Sequence, residues 1–124
     1  MIIESIFTTR DGEGTINFSP MGVVWGEEEI IVKPYRETTT FPNLVETGQA
    51  VVNITDDVRL FARGAIGKPT FPWSEARVVD GAVVDAACSW RELEVVEVDD
   101  SEERAHVRTR VVHREVRREF VGFN

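Results

Sequence analysis

The sequence is poor in cysteine, histidine and lysine, and it contains no long hydrophobic run. Cys88 is its one cysteine, so no disulfide can form within the chain, and a reducing compartment is the simplest interpretation. No segment approaches the roughly 18 continuous apolar residues of a membrane span, and the start MIIESIFTTR lacks a basic region followed by a long apolar core. These absences predict a cytoplasmic protein without a membrane segment.

Several motifs that would point to a function are also missing. There is no glycine fingerprint of the Rossmann or P-loop type, and no internal repeat, low-complexity tract or Pro/Ser-rich linker. We therefore expect a single domain over residues 1–124. The two histidines, His106 and His113, would point to opposite faces of a continuous strand and have no cysteine nearby, so no metal site is expected.

The charge balance disfavours nucleic acid as a partner. The net charge is −8, from 22 acidic and 14 basic residues, and such a surface repels a phosphate backbone. Arginines do recur between Arg104 and Arg118, but glutamates of the preceding segment alternate with them in the predicted pairing. We interpret this run as a solvated, salt-bridged face, and we expect no salt-dependent binding to oligonucleotides.

What the sequence does contain is a succession of short β-type segments. With 42% apolar residues the chain can bury one core. Turn signals such as Asp11-Gly12-Glu13-Gly14 separate the segments, and the pattern predicts the order β-β-β-α-β-α-β-β-β with mostly antiparallel neighbours. This order favours a mainly β fold, a small β-barrel whose ends are covered by short helices.

The second strand, expected over residues 15–26, contains an interruption. Pro20 cannot donate to a strand ladder and Gly22 carries no side chain, so the middle of the strand should be bulged or lie at an open edge. A backbone break of this kind lets a flat heteroaromatic ring approach closely and meet backbone N–H and C=O groups at its polar edge. From the residues alone, the alternative is the favoured interpretation: a bulge at Pro20-Met21-Gly22 that only bends the sheet.

The last third of the chain predicts a long hairpin from residues 86–98 and 104–112. A turn centred on Ser101 would bring opposite charges and two valines together across the strands. The pairs that it predicts are Glu94 with Arg108, Glu92 with Arg110, and Val95 with Val107. The apolar Phe120, Val121 and Phe123 that follow suggest a tail that docks on a partner, or a natural protein that continues past residue 124.

Basic side chains, hydroxyls and a helix start are concentrated in VKPYRETTTFPNLVETGQAVVN, residues 32–53. Lys33 and Arg36 supply positive charge, and the hydroxyls of Thr38, Thr39 and Thr40 precede the free amides of a helix that Gly48 should end. A phosphate requires convergent donors and positive charge, so the segment predicts an anion cradle. The other interpretation is that Thr40 only caps the helix and that the two basic side chains are solvated.

These segments together resemble a known family. The stretches Asn17-Phe18-Ser19-Pro20-Met21-Gly22, Lys33-Pro34-Tyr35-Arg36, Thr38 to Leu44 and GQAVVNITDD (48–57) are similar to the flavin-reductase-like FMN-binding split barrels. The best match is a branch of unassigned function found mainly in archaea and some bacteria. The resemblance is densest over residues 1–65 and implies an antiparallel Greek-key barrel.

The resemblance also implies a cofactor site. One FMN per subunit would lie near the interface of a homodimer, and Trp73 is a speculative contact from the partner subunit. The isoalloxazine edge would lie along Ser19, Pro20, Met21, Gly22 and Val23. The phosphate would be neutralised by Lys33 and Arg36 and hydrogen-bonded by Thr38, Thr39, Thr40 and Asn43.

The function implied by the resemblance is hydride transfer between a nicotinamide and FMN, as in flavin reductases. In such a protein the cofactor carries the chemistry, so no catalytic side chain need appear in the sequence. A non-catalytic carrier or sensor that binds FMN or another nucleotide phosphate is the alternative. Family members usually run longer than this chain, with a further helical segment after a point like residues 122–124.

Overall fold

The chain folds into an antiparallel barrel in the computed structural model, which describes residues 1–67, 69–120 and 122–123. Its elements are β1 (Ile2–Arg10), β2 (Ile16–Val24), β3 (Glu29–Val32), α1 (Thr40–Thr47), β4 (Gln49–Ile54), α2 (Val58–Ile66), β5 (Trp73–Glu75), β6 (Ala82–Val84), β7 (Ser89–Asp99) and β8 (His106–Val116). The barrel order is β1-β2-β3-β8-β7-β4, and β5 and β6 form a separate two-stranded sheet.

The predicted fold class is therefore confirmed: mainly β, with two short helices. The strand order β4-β1-β2-β3 is that of a Greek key, since β4 returns beside β1 after a long connection. The prediction had three strands after the second helix, whereas the structure has four. The additional pairing is the hairpin β5-β6, whose strands of three residues each are too short to give a periodic sequence signal.

Strand β2 has no bulge. It pairs with β1 in one unbroken register from Ile2 opposite Val24 to Arg10 opposite Ile16, and Pro20 lies opposite Ile6. On its other side β2 meets β3 at a single pair, Val24 with Ile31. Of the two predicted explanations for Pro20, the bulge is wrong and the open edge is confirmed, because an unpaired edge requires no backbone donor.

The long hairpin is confirmed, but its register is not the predicted one. Glu94 lies opposite Arg110, Glu92 opposite His113 and Val98 opposite Val107. The register shifts at two places, between Glu92 and Leu93 and between Val95 and Glu97. The turn is centred between Glu102 and Glu103, since Asp99 lies opposite His106, so a register built on Ser101 is wrong from the turn onward. The two shifts, which leave no trace in a charge pattern, then change the register again.

The helix ends follow the sequence signals. Asp57 precedes α2 and its carboxylate accepts a hydrogen bond from the Arg59 amide at 3.1 Å, which is N-capping geometry. The hydrogen bond from the Arg59 side chain lowers the pKa of this carboxyl. Gly48 ends α1 in the left-handed conformation, with a φ of 68° and its amide bonded to the Leu44 carbonyl. Neither helix of the described ranges is long and apolar enough to cross a bilayer.

Apolar side chains fill the barrel and also the space between the barrel and α2. Phe7, Leu44 and Leu93 belong to the interior cluster, and Ile6, Leu60 and Phe71 belong to the outer one. Both faces of β1 are therefore covered. Cys88 is fully buried, and so is Phe71 in the loop between α2 and β5. Lys68 of that loop lies outside the described residues.

The C-terminal aromatics pack on their own chain. Phe120 contacts the interior cluster, Phe123 packs edge-on against Phe61 with ring centroids 5.8 Å apart, and the Glu4 amide donates to the Phe123 carbonyl at 2.8 Å. Phe120 and Phe123 therefore pack against their own chain, and these contacts require no partner molecule. The sequence did not predict these contacts. Val121 lies outside the described residues.

Candidate functional site

A cleft of about 330 Å³ lies between β2, the loop before α1, and α2. We call it the β2 cleft; its lining includes Asn17, Ser19 and Pro20 from β2, residues 37–40, and Gly64 and Gly67. Its volume is at the lower end of the roughly 300–1,000 Å³ typical of ligand pockets. Two stretches that the sequence placed far apart, Ser19-Pro20 and Thr38-Thr39-Thr40, therefore meet at one site.

The first wall of the β2 cleft is an open strand edge. Within the described ranges, β2 pairs with β3 only at Val24, so residues 16–23 have no strand neighbour on that side. An unpaired edge presents backbone N–H and C=O groups that can bond the polar rim of a flat ligand. Pro20 breaks this row of donors, which also discourages pairing with another strand.

The second wall is the start of α1. Thr39 occupies the N-cap position, is exposed, and makes no side-chain capping bond. The Thr38 hydroxyl donates to the Tyr35 carbonyl at 2.7 Å, and the buried Thr40 hydroxyl accepts from the Asn17 side chain at 3.3 Å. Thr39 therefore keeps its hydroxyl for a ligand, and the first amides of α1 have no partner within the helix.

Four of the predicted residues, Met21, Gly22, Val23 and Asn43, lie outside the lining of the β2 cleft. Val23 is fully buried, and Met21 packs against the interior cluster. Asn43 is 4% exposed and its side-chain amide donates to the Thr9 hydroxyl at 3.1 Å. Gly22, opposite Glu4 on β1, lies in the strand but not in the lining of the cleft. Their assignment to the cofactor stays a prediction.

The two basic residues of the cradle separate in space. Arg36 lines a neighbouring cleft of about 580 Å³ that shares Glu37 and Thr38 with the β2 cleft. Lys33 instead lines a third cleft, of about 470 Å³, beside the turn between β7 and β8 and together with Asp99. Arg36 therefore lies beside the β2 cleft without lining it, whereas Lys33 lines a cleft that shares no residue with the β2 cleft. The phosphate roles of both residues stay predictions.

Two features of the cleft were missed at the sequence level. Glu37 lines it and opposes the binding of an anion, although its neighbour Arg36 offsets that charge. Gly64 brings α2 against β2: a Cβ atom at this position would lie 2.3 Å from Cγ of Pro20. From the sequence, a glycine inside a helix indicates that another segment approaches the helix closely, but it does not show which segment that is.

The arginine run is a salt-bridged face. Arg108 pairs with Glu29 at 2.8 Å, Arg110 with Glu94 at 2.8 Å and Arg114 with Glu27 at 3.2 Å. Over residues 1–67, 69–120 and 122–123 there is no group of three or more His, Cys, Asp or Glu side chains arranged to hold a metal ion.

Comparison with known proteins places the chain in one family and one fold. The family model described as "Protein of unknown function (DUF447) N-terminal domain" matches residues 3–118. No curated protein matches the sequence.

Three solved structures show the fold. An FMN-bound protein of Methanosarcina mazei, also described as DUF447, is 18% identical with a TM-score of 0.79, over 99% of this chain and 66% of that one. The Pseudomonas fluorescens 2-nitrobenzoate 2-nitroreductase is 20% identical with a TM-score of 0.79, over 94% and 65%. The Streptomyces globisporus NADH:FAD oxidoreductase is 9% identical with a TM-score of 0.79, over 93% and 75%.

At these identities the likeness establishes the fold, and the predicted split barrel is confirmed. The chain spans slightly less than two thirds of the length of the M. mazei protein and of the nitroreductase.

Proposed function

The chain belongs to the DUF447 N-terminal-domain family, and from that membership we propose that it binds FMN in the β2 cleft and takes part in flavin-dependent oxidoreduction. A protein described as a member of the same family has been solved with FMN bound. The observation in this chain that carries the proposal is the meeting of an unpaired strand edge with an uncapped helix start in one cleft.

The residues present fit the two ends of FMN. The phosphate end would take the Thr39 hydroxyl, the free amides at the start of α1 and the charge of Arg36, which are the donors and the cation that a phosphate requires. The flat ring system would lie along Ser19 and Pro20, where β2 leaves its backbone unpaired. Gly67 leaves space beside them, because none of the described side chains lies within 4 Å of its Cβ position.

The proposed oxidoreductase is of the flavin-reductase type. When bound, FMN would supply the redox chemistry, accepting a hydride from a reduced nicotinamide. The chain would contribute position and electrostatics: the strand edge orients the ring, Thr39 and Arg36 hold the phosphate, and α2 excludes water from one side. Hydride transfer to FMN would therefore require no acid or base side chain from the protein.

A homodimer is part of the proposal. Ligand pockets usually bury about 70–90% of a ligand's surface, and a cleft of about 330 Å³ would leave much of a flavin exposed. A second copy of the chain could cover that face, in keeping with the arrangement that the family resemblance implies. A carrier that binds FMN without reducing it would use the same cleft, so only kinetics separates the two functions.

The proposal predicts that the purified protein is yellow or becomes so on addition of FMN. Flavin absorption of the desalted protein measures this directly, and a protein that stays colourless after incubation with excess FMN would refute the assignment. Adding NADH or NADPH to the loaded protein without oxygen should then bleach the flavin rapidly. Flavin that stays oxidised over minutes would favour the carrier.

Removing the phosphate donors should weaken FMN binding. We expect Arg36→Ala and Thr39→Ala each to raise the Kd for FMN about fivefold, since a partly screened charge or hydrogen bond contributes about 1 kcal/mol. Lys33→Ala is the matched control, because Lys33 lines a different cleft and should leave the Kd within twofold. Fluorescence titration measures all three. Equal losses in the Lys33 and Arg36 variants would mean a phosphate position outside the β2 cleft.

A further inference from the structure

The first strand of the long hairpin carries a half-buried arginine with an unusual set of neighbours. Arg91 on β7 lies directly opposite Arg114 on β8, and like charges in that position repel each other. Arg114 pairs with Glu27 at 3.2 Å, and within the described ranges no carboxylate forms a salt bridge with Arg91. The guanidinium of Arg91 instead lies over the Trp25 ring, 5.0 Å from its centroid.

The hydrogen-bonding capacity of Arg91 is largely unused. Nη1 donates to the Trp90 carbonyl at 3.2 Å, and Nε is buried without any acceptor in the described part of the chain. Nε of Arg10 is likewise buried without a partner, but the terminal nitrogens of Arg10 reach Glu75 and Asp80. Arg91 is therefore desolvated and has no ion pair. Burial, followed by repulsion from Arg114, lowers its pKa, and attraction to Glu27 only partly opposes that shift.

Arg91 lines a cavity of about 400 Å³, here called the Arg91 cavity, which shares no residue with the β2 cleft. Met1, Trp25 and Phe120 give it apolar walls. Glu27 and Glu119 also line it, and the latter has no ion pair in the described residues. Arg118 lines it too, but is paired with Asp56. The cavity thus offers one cation without an ion pair and an apolar surface, in a volume suited to a small molecule.

We propose that the Arg91 cavity is a binding site for a small organic monocarboxylate with a flat apolar body. The guanidinium presents a planar set of donors that matches a carboxylate, and the walls formed by Trp25 and Phe120 suit an aromatic or alicyclic ring. A phosphate dianion fits less well, because Glu27 and Glu119 would repel its second charge. This site would function independently of flavin.

In this proposal Arg91 lowers the stability of the fold when no ligand is bound. A desolvated cation without a partner is unfavourable, and an apolar side chain of similar length would pack against Trp25 without that cost. Groups that reduce stability in this way are found preferentially at functional sites. A monocarboxylate would supply the missing partner.

The experiment uses benzoate as the probe and the indole N–H resonance of Trp25 as the reporter. We expect a saturable shift at millimolar benzoate, and little effect of benzamide or phenyl phosphate. Arg91→Met should weaken benzoate binding at least fivefold while raising the urea midpoint of unfolding, a combination that a purely structural arginine would not produce. Arg91→Lys should retain part of the binding, because it keeps the charge without the planar set of donors.

Two further variants complete the test. Arg110→Met removes an exposed arginine of the same hairpin that pairs with Glu94 and should leave benzoate binding unchanged. Glu119→Gln should tighten binding, since it removes a carboxylate that competes for Arg91. The proposal is overturned if benzamide binds as well as benzoate, if Arg91→Met lowers the urea midpoint or leaves binding intact, or if the Trp25 shift follows protein concentration instead of benzoate.

Discussion

Replacing Glu92 with alanine is expected to lower the free energy of unfolding by about 4 kcal/mol, because a buried network would lose its acceptor. Glu92 is fully buried, and its two oxygens accept four hydrogen bonds: from the amides of Arg77, Val78 and Val79 at 3.0, 2.6 and 3.0 Å, and from the Trp90 indole at 2.9 Å. The three amides belong to the turn between β5 and β6. This one carboxylate therefore ties that hairpin to the barrel.

Urea denaturation of matched variants measures the effect. Glu92→Gln should lose about 2 kcal/mol, because its amide group places a donor against backbone donors. Glu94→Ala is the control on the same strand: its partner Arg110 is exposed, so the loss should stay below about 1 kcal/mol. If the Glu92 and Glu94 alanine variants are equally stable, the buried network contributes no more to the free energy of unfolding than the exposed ion pair does.

The same carboxylate should make stability depend on pH. Burial alone would raise the pKa of Glu92, but the hydrogen bonds from the turn and from Trp90 outweigh it and hold the pKa below its ordinary value of 4.5. A carboxyl whose folded pKa is depressed contributes stability that is present above the unfolded pKa and is lost as pH falls through the folded pKa. Part of the acid destabilisation below about pH 4.5 should therefore be absent from Glu92→Gln.

Replacing Gly64 with alanine is expected to weaken FMN binding more than tenfold and to destabilise the fold by about 1–2 kcal/mol. An added Cβ would lie 2.3 Å from Cγ and 2.7 Å from Cδ of Pro20. The proline ring is rigid and its strand is paired with β1, so α2 must move away. That movement would outweigh the gain of about 1 kcal/mol that alanine normally brings to a helix, and it would widen the β2 cleft.

Gly67→Ala provides the control at the other glycine of the cleft. Within the part of the chain that the structure describes, nothing lies within 4 Å of its Cβ position, and its φ of −179° is extended backbone that any residue adopts. We expect no change in thermal midpoint and less than a twofold change in the Kd for FMN. A Gly64→Ala protein that is more stable than the parent and binds FMN normally would show that the approach of α2 to β2 has no role in the site.

The site shows where prediction from sequence reached its limit. Ser19, Pro20 and the threonines 38–40 were predicted as two halves of one pocket, and the structure brings them to one cleft. Lys33 and Arg36 were grouped because only two residues separate them along the chain, yet they line different clefts. Beyond the end of β3, closeness along the chain does not determine where two side chains point. Here the loop turns around Pro34 and pairs Tyr35 with Arg104.

Glu92 illustrates a different limit. Its position on a β-strand among alternating charges predicted an ion pair with Arg110, the usual partner for a glutamate on a solvated face. The structure instead buries it beneath the β5-β6 turn, where backbone amides replace the cation. The sequence around Glu92 does not distinguish it from Glu94. The difference arises because the β5-β6 hairpin packs on Glu92 and not on Glu94.

By itself the sequence determined the β-rich class, the two helices and the end of α1 at Gly48, because these depend on side-chain periodicity and on local turn and capping chemistry. The family followed from the resemblance of its motifs. Tertiary structure decided the hairpin register, the burial of Glu92, the approach of Gly64 to Pro20 and the separation of Lys33 from the cleft. Each of these depends on which distant segments come into contact, and a contact between distant segments is a property of the folded chain as a whole.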